Sequence, residues 1–192
     1  MDAGGVFALE RTLGFVDWFT EYSDAAFFSF NATKLLTTGE GGAVVTKDKN
    51  LFKELIKIKI DNPINDISAS IGISQINKYS DFLKKRRDIA NEYDNFFANY
   101  NLNKSIKKSI YFRYTIRVSN ETRKIFLNSN KVSFRKGVDD LLVFNLNMPK
   151  DSFINSYNDY MTTVSLPIYP ALKKIEMKII LDEAKKILNA GY

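Results

Sequence analysis

Residues 24–48 read DAAFFSFNATKLLTTGEGGAVVTKD, and this stretch decides the fold. Ala25–Phe30, AAFFSF, is a short apolar run of the kind that forms a buried strand. Gly42–Thr46, GAVVT, is rich in β-branched residues and reads as a second strand. Between them the chain presents Asn31, Thr33 and Lys34, then turns through Gly39-Glu40-Gly41-Gly42. Glycines at such a turn permit positive φ and close backbone approach. No Lys-Ser or Lys-Thr follows them, so the turn is not a P-loop. Taken alone, a lysine ahead of a glycine-rich turn reads as a surface lysine.

Downstream, Asp48–Ile60 places apolar residues at Leu51, Phe52, Leu55, Ile56 and Ile60, which is helical spacing. Asp61–Asp66, DNPIND, breaks it, because Pro63 cannot sit inside a helix. Asp66 is expected to cap a helix through Ile67, Ile71 and Ile73 toward Ile76. Ser80 is expected to open a longer helix, and its Lys84-Lys85-Arg86-Arg87 run reads as a solvated face rather than a phosphate patch. Phe112–Val118, FRYTIRV, alternates apolar and polar residues, as a half-buried antiparallel strand does. Arg113 and Arg117 then read as surface strand charges rather than substrate ligands. A short helix at Glu121–Asn128 and weaker strands near Val132–Phe134 and Leu141–Leu146 follow. Pro167 and Pro170 bracket LPIYP, and Ala171–Leu188 reads as an amphipathic helix with Gly191 just past its end.

Composition narrows the chemistry. The chain has 192 residues, 45% hydrophobic and 26% charged, with a formal net charge of +6, no Cys and no His. Without Cys there is no disulfide, thiol nucleophile or iron–sulfur site. Without His there is no Ser-His-Asp triad and no His-ligated zinc, and no metal site is expected. Lys, Asp, Glu, Tyr and Arg remain as catalytic material. The absence of Cys fits a reducing, cytoplasmic compartment. The opening MDAGGVFALERTLG has an acid at position 2 and no apolar h-region, so no signal peptide is expected. No run approaches the roughly 18 apolar residues that cross a bilayer. The basic balance goes with abundant Asn, Lys, Ile, Phe and Tyr, the mark of AT-rich codon usage, so neither nucleic acid nor membrane is expected as a partner.

The stretch 24–48 resembles the lysine-bearing motif of the DegT/DnrJ/EryC1/StrS sugar aminotransferases, whose pattern reads roughly D-x-x-x-F-S-F-x-x-x-K-x-x-x-x-G-E-G-G-x-x-x-T. Asp24, Phe28, Ser29, Phe30, Lys34, Gly39, Glu40, Gly41, Gly42 and Thr46 fit at the family's spacing. Asp2-Ala3, DISASIGISQINKYSDFLKKRRDIANEY and SLPIYPAL resemble further family segments. The resemblance covers nearly all of this chain but only the C-terminal part of the family's length. It implies an α/β fold. Residues 1–78 would be the C-terminal remnant of a pyridoxal-phosphate-binding (fold type I) large domain with a parallel-type sheet. Residues 79–192 would be a small α+β C-terminal domain.

By resemblance, Lys34 would carry pyridoxal 5'-phosphate covalently and move protons during amino transfer. Asp2 would sit against the pyridine nitrogen and keep it protonated. Ser29 would hydrogen-bond the cofactor phosphate. Glutamate would give its amino group to a nucleotide-linked keto-sugar. Three departures from the family stand out. Its long N-terminal segment, with a helix start that binds phosphate, is expected to be missing here. Gly5 replaces a Gln or His. The loop whose Asn reaches the neighbouring subunit's phosphate is compressed to KIDNPIND, so that position falls on Asp61, or on Asn62 after a one-residue slip. Two readings follow. In the first, the chain works as an enzyme with a homodimer mate or a partner chain supplying the N-terminal half. In the second, it is a truncated relative without activity of its own.

Overall fold

A computed structural model of the chain describes residues 23–58, 63–102, 109–146 and 148–190. The chain divides into two compact units, 1–81 and 82–192.

In the first unit, β1 (Ala26–Ser29) pairs antiparallel with β2 (Gly42–Val45), Ala26 opposite Val45 and Ser29 opposite Gly42. Ala26 and Phe28 point inward, whereas Phe27 is 77% exposed and all of β2 is exposed. The run expected to be buried is therefore apolar on both faces and covered on one. The expected parallel pairing is confined, among the described residues, to an isolated bridge between Asn31 and Gly39. A crossover between parallel strands is usually helical, and the connection between β1 and β2 holds no helix; it folds back as a hydrogen-bonded loop, so the strands pair antiparallel.

Asp48 caps α1 (Lys49–Lys57), its Oδ1 accepting from the Asn50 and Leu51 N–H groups at 2.7 and 3.2 Å. Leu51 and Leu55 are half-buried, and Phe52 and Ile56 are exposed; Ile60 lies outside the described residues. Asn65, rather than Asp66, caps the next helix, its Oδ1 accepting from the Ser68 N–H at 2.9 Å. That helix, α2 (Asp66–Phe97), is one element of 32 residues where two were expected. Lys78-Tyr79-Ser80 holds no Gly or Pro to stop it, Tyr79 and Leu83 continue one buried stripe at i, i+4, and Ser80 faces solvent. A 3-10 turn, Ala98–Tyr100, ends it at Asn101, whose φ is +52°.

The second unit is built on a three-stranded antiparallel sheet, in the order β3 (Tyr114–Arg117), β5 (Thr163–Leu166), β4 (Arg135–Lys136). Tyr114 and Ile116 face the core and Thr115 and Arg117 face out, as the alternation requires. Ser119 caps α3 (Asn120–Leu127). Val132 and Phe134 are buried without being strand, and β4 forms just beyond them. Leu141–Leu146 is not a strand: it contains the one-turn helix α4 (Leu142–Asn145), which buries Val143 alone. Short apolar runs do not distinguish the two by period. A 3-10 turn (Lys150–Phe153) leads to α5 (Ile154–Thr162) and directly into β5.

The last helix, α6 (Lys174–Ala190), buries Met177, Ile180, Ala184, Ile187 and Leu188 but leaves Ile175 and Ile179 exposed. Gly191 lies outside the described residues. The core gathers Tyr93, Phe97, Tyr114, Ile116, Phe126, Val164 and Leu188, all with 2% exposure or less. Among the described residues no helix is long and apolar enough to cross a membrane.

Candidate active site

The loop 30–42 is closed on itself through the backbone of Phe30. The Phe30 N–H donates to the Gly41 carbonyl at 2.9 Å. Its own carbonyl accepts from the Thr38 N–H at 2.9 Å and the Thr37 hydroxyl at 3.1 Å. The Thr37 hydroxyl in turn accepts from the Gly39 N–H at 2.9 Å, and the Thr38 hydroxyl donates to the Glu40 carbonyl. Gly39 and Gly41 have φ of +83° and +123°, which a side chain at either position would strain. At Gly42 a β-carbon would fall 2.5 Å from the Phe28 carbonyl oxygen, so the strand pair closes only over glycine.

Lys34 stands in this loop, half-buried, its N–H donating to the Asn31 carbonyl at 2.9 Å. The Asn31 N–H donates to Ser29 Oγ at 3.4 Å. Asn31 is thus the backbone link between Ser29, at the end of β1, and Lys34. Because Ser29 Oγ accepts in that bond, its own hydroxyl proton remains for an acceptor on a ligand. Asp2 and Asn62, like Gly5 and Asp61, lie outside the described residues. Asp24 and Thr46 close the far end of the hairpin: the Thr46 hydroxyl donates to the Asp24 carbonyl at 2.6 Å and accepts from the Asp48 N–H at 3.0 Å.

Three residues that hold the loop in place escape the motif. Leu36 and Thr38 are each 4% exposed, and a β-carbon at Gly72 of α2 would lie 2.9 Å from Thr38 Cγ2. The signal for it is a glycine inside a helical pattern, which points to close packing.

In the second unit, Arg86 is not part of a solvated face. Its Nη1 donates to the carbonyls of Tyr111 at 2.8 Å and Ile168 at 3.1 Å, while Lys84, Lys85 and Arg87 are exposed. Arg117 lies on the exposed face of β3, 2.8 Å from Asp159, whereas Arg113 stands just before the strand, half-buried, with Asp139 at 4.0 Å.

The family model described as "DegT/DnrJ/EryC1/StrS aminotransferase family" matches residues 18–185. An uncharacterized protein of Methanocaldococcus jannaschii, MJ1066, is 26% identical over 86% of this chain and 54% of its own length. GDP-perosamine synthase of Escherichia coli O157:H7 is 33% identical over 38% of this chain and 24% of its own length. The PLP form of Spr1654 from Streptococcus pneumoniae superposes with a TM-score of 0.76 at 23% identity, covering 90% of this chain and 54% of that one. At that identity the likeness shows the fold: part of the large domain of a fold type I transferase, with a small α+β domain. The chain spans about half the length of MJ1066 and of Spr1654.

Proposed function

The chain belongs to the DegT/DnrJ/EryC1/StrS aminotransferase family, and from that premise we propose that it holds the lysine side of a pyridoxal-phosphate site. The reaction we propose for it moves an amino group from glutamate to a nucleotide-linked keto-sugar in polysaccharide or deoxyamino-sugar synthesis. The observation that carries this reading is the closed loop 30–42, which presents Lys34 one hydrogen-bonded turn from Ser29. Its donor set suits the cofactor: an amine for the aldehyde and a hydroxyl proton for the phosphate. The naming of one relative as GDP-perosamine synthase supports the nucleotide-sugar class.

Lys34 Nζ, when deprotonated, binds the cofactor covalently. Once released, the same amine accepts the proton from the donor's α-carbon and returns it on the other side of the transfer. Ser29 holds a phosphate oxygen by donating its hydroxyl proton. Asp2 is assigned to keep the ring nitrogen protonated, and Asn62 to reach a phosphate in a neighbouring subunit. Pyridoxal phosphate supplies the electron sink that lets the α-proton leave.

A second reading, in which the chain is inactive alone, is favoured by the apolar residues that the first unit leaves exposed. Helix α1 buries no residue, and Phe27, Val44, Val45, Phe52 and Ile56 are each more than half exposed. Exposed apolar residues gathered in one unit in this number point to cover by another polypeptide. We assign its cover to a second copy or to polypeptide equivalent to the unmatched half of the relatives. The test is borohydride reduction of the chain with pyridoxal phosphate, followed by peptide mapping. Label on Lys34 supports the cofactor site. A chain that takes up no label by itself, but does so with that half supplied, selects the second reading, and no label in either case overturns the first.

A further inference from the structure

We propose that the flank of the second unit where β4 meets α5 binds phosphate-bearing ligands through Arg123, Lys136 and Tyr160. Arg123 is only 5% exposed. Its Nε donates to the Thr163 carbonyl at 3.3 Å and its guanidinium carbon lies 5.3 Å from the centre of the Tyr160 ring. Its Nη2 is buried with no hydrogen-bond partner. Lys136 is exposed, with Nζ 5.4 Å from the centre of the same ring and 3.0 Å from the Tyr160 hydroxyl. Neither cation has a carboxylate partner among the described residues, because Asp139 and Asp159 stand with Arg113 and Arg117. Asn120, one turn before Arg123, has a buried Oδ1 that is likewise unpartnered, but a neutral acceptor does not balance a guanidinium charge.

A buried guanidinium with an unmade hydrogen bond and no counter-charge is costly. Two cations gathered on one ring add mutual repulsion. An oxyanion offsets both. The planar fork of arginine matches carboxylate or phosphate, and lysine binds phosphate as a point charge. A phosphate, with more than one negative charge, answers two cations together where a carboxylate answers one. The site belongs to the second unit alone and stands whether or not Lys34 carries a cofactor.

Calorimetric titration of the full chain with pyrophosphate at low ionic strength tests it. Saturable binding is expected, weakened about tenfold or more by Lys136→Gln through loss of one charge-assisted contact. Lys136 is exposed, so this variant is expected to melt with the wild type. Arg123→Gln is expected to abolish binding, and because it also disturbs packing the decision rests on Lys136→Gln. No saturable binding at millimolar pyrophosphate overturns the site, as does wild-type affinity in Lys136→Gln. Loss of binding in a Lys84→Gln/Lys85→Gln variant overturns it too, by moving the anion to the solvated face of α2. Glutamate binding as tightly as pyrophosphate overturns the assignment to phosphate.

Discussion

Gly72 of α2 backs directly onto Thr38 of the lysine loop: a β-carbon at Gly72 would sit 2.9 Å from Thr38 Cγ2. Thr38 cannot yield cheaply, because it is buried and its hydroxyl is tied to the Glu40 carbonyl. Gly72→Val is therefore expected to destabilise the first unit by about 1–3 kcal/mol through overpacking. It should also slow borohydride-trapped labelling of Lys34. Chemical denaturation and peptide mapping measure the two effects. An unchanged midpoint with unchanged labelling would show that the helix does not support the loop.

The Lys34 backbone N–H holds its turn by donating to the Asn31 carbonyl, a bond that survives truncation of the side chain. Lys34→Ala is expected to keep the melting temperature within a degree or two, since changes away from core and caps fall within about 0.5 kcal/mol. It should lose all label at this position. A variant that unfolds would instead place the side chain among the loop's structural supports.

Arg86 ties α2 to two distant segments through Tyr111 and Ile168. Arg86→Ala leaves both carbonyls without a charged donor, and a loss of about 2 kcal/mol is expected. Lys85→Ala, one residue earlier and exposed, should cost nothing measurable. Parallel urea melts of the two variants decide this, and equal losses would refute it.

Tyr93 donates its hydroxyl proton to the Pro167 carbonyl at 2.6 Å inside the core. Burial chiefly, with Tyr169 and Glu92 nearby, pushes its pKa far above the ordinary tyrosine value of 10.0. A folded-state value above the unfolded one means the native state holds its proton more tightly. The stabilisation is complete below pH 10 or so and declines as pH rises beyond it. Tyr93→Phe is expected to cost about 1 kcal/mol at neutral pH through the lost hydrogen bond. It should also remove part of the alkaline loss of stability. Melting curves from pH 7 to 11 check both, and identical alkaline slopes in the two proteins would contradict the assignment.

The site was legible in sequence wherever its logic is local. The spacing of Ser29, Lys34 and Gly39 to Gly42 spans one loop, and the hydrogen bonds that close that loop run between Phe30 and residues at most eleven positions away. The helix boundary at Ser80 and the strand at Leu141–Leu146 were not legible. A serine favours a cap but is tolerated within a helix where it faces solvent, as Ser80 does. A six-residue run with five apolar positions carries no reliable period.

The sequence by itself determined the lysine loop, the β1–β2 turn and the family, because each rests on residue type at short, fixed separations. The tertiary structure alone decided which cation of Lys84–Arg87 is structural, which glycine supports Thr38, and where Arg123 is buried. Arg86 meets carbonyls 25 and 82 residues away, and Gly72 of α2 meets Thr38 of the lysine loop. A backbone carbonyl accepts a hydrogen bond whatever side chain it carries, so contacts of this kind leave no mark in the sequence until folding brings the partners together.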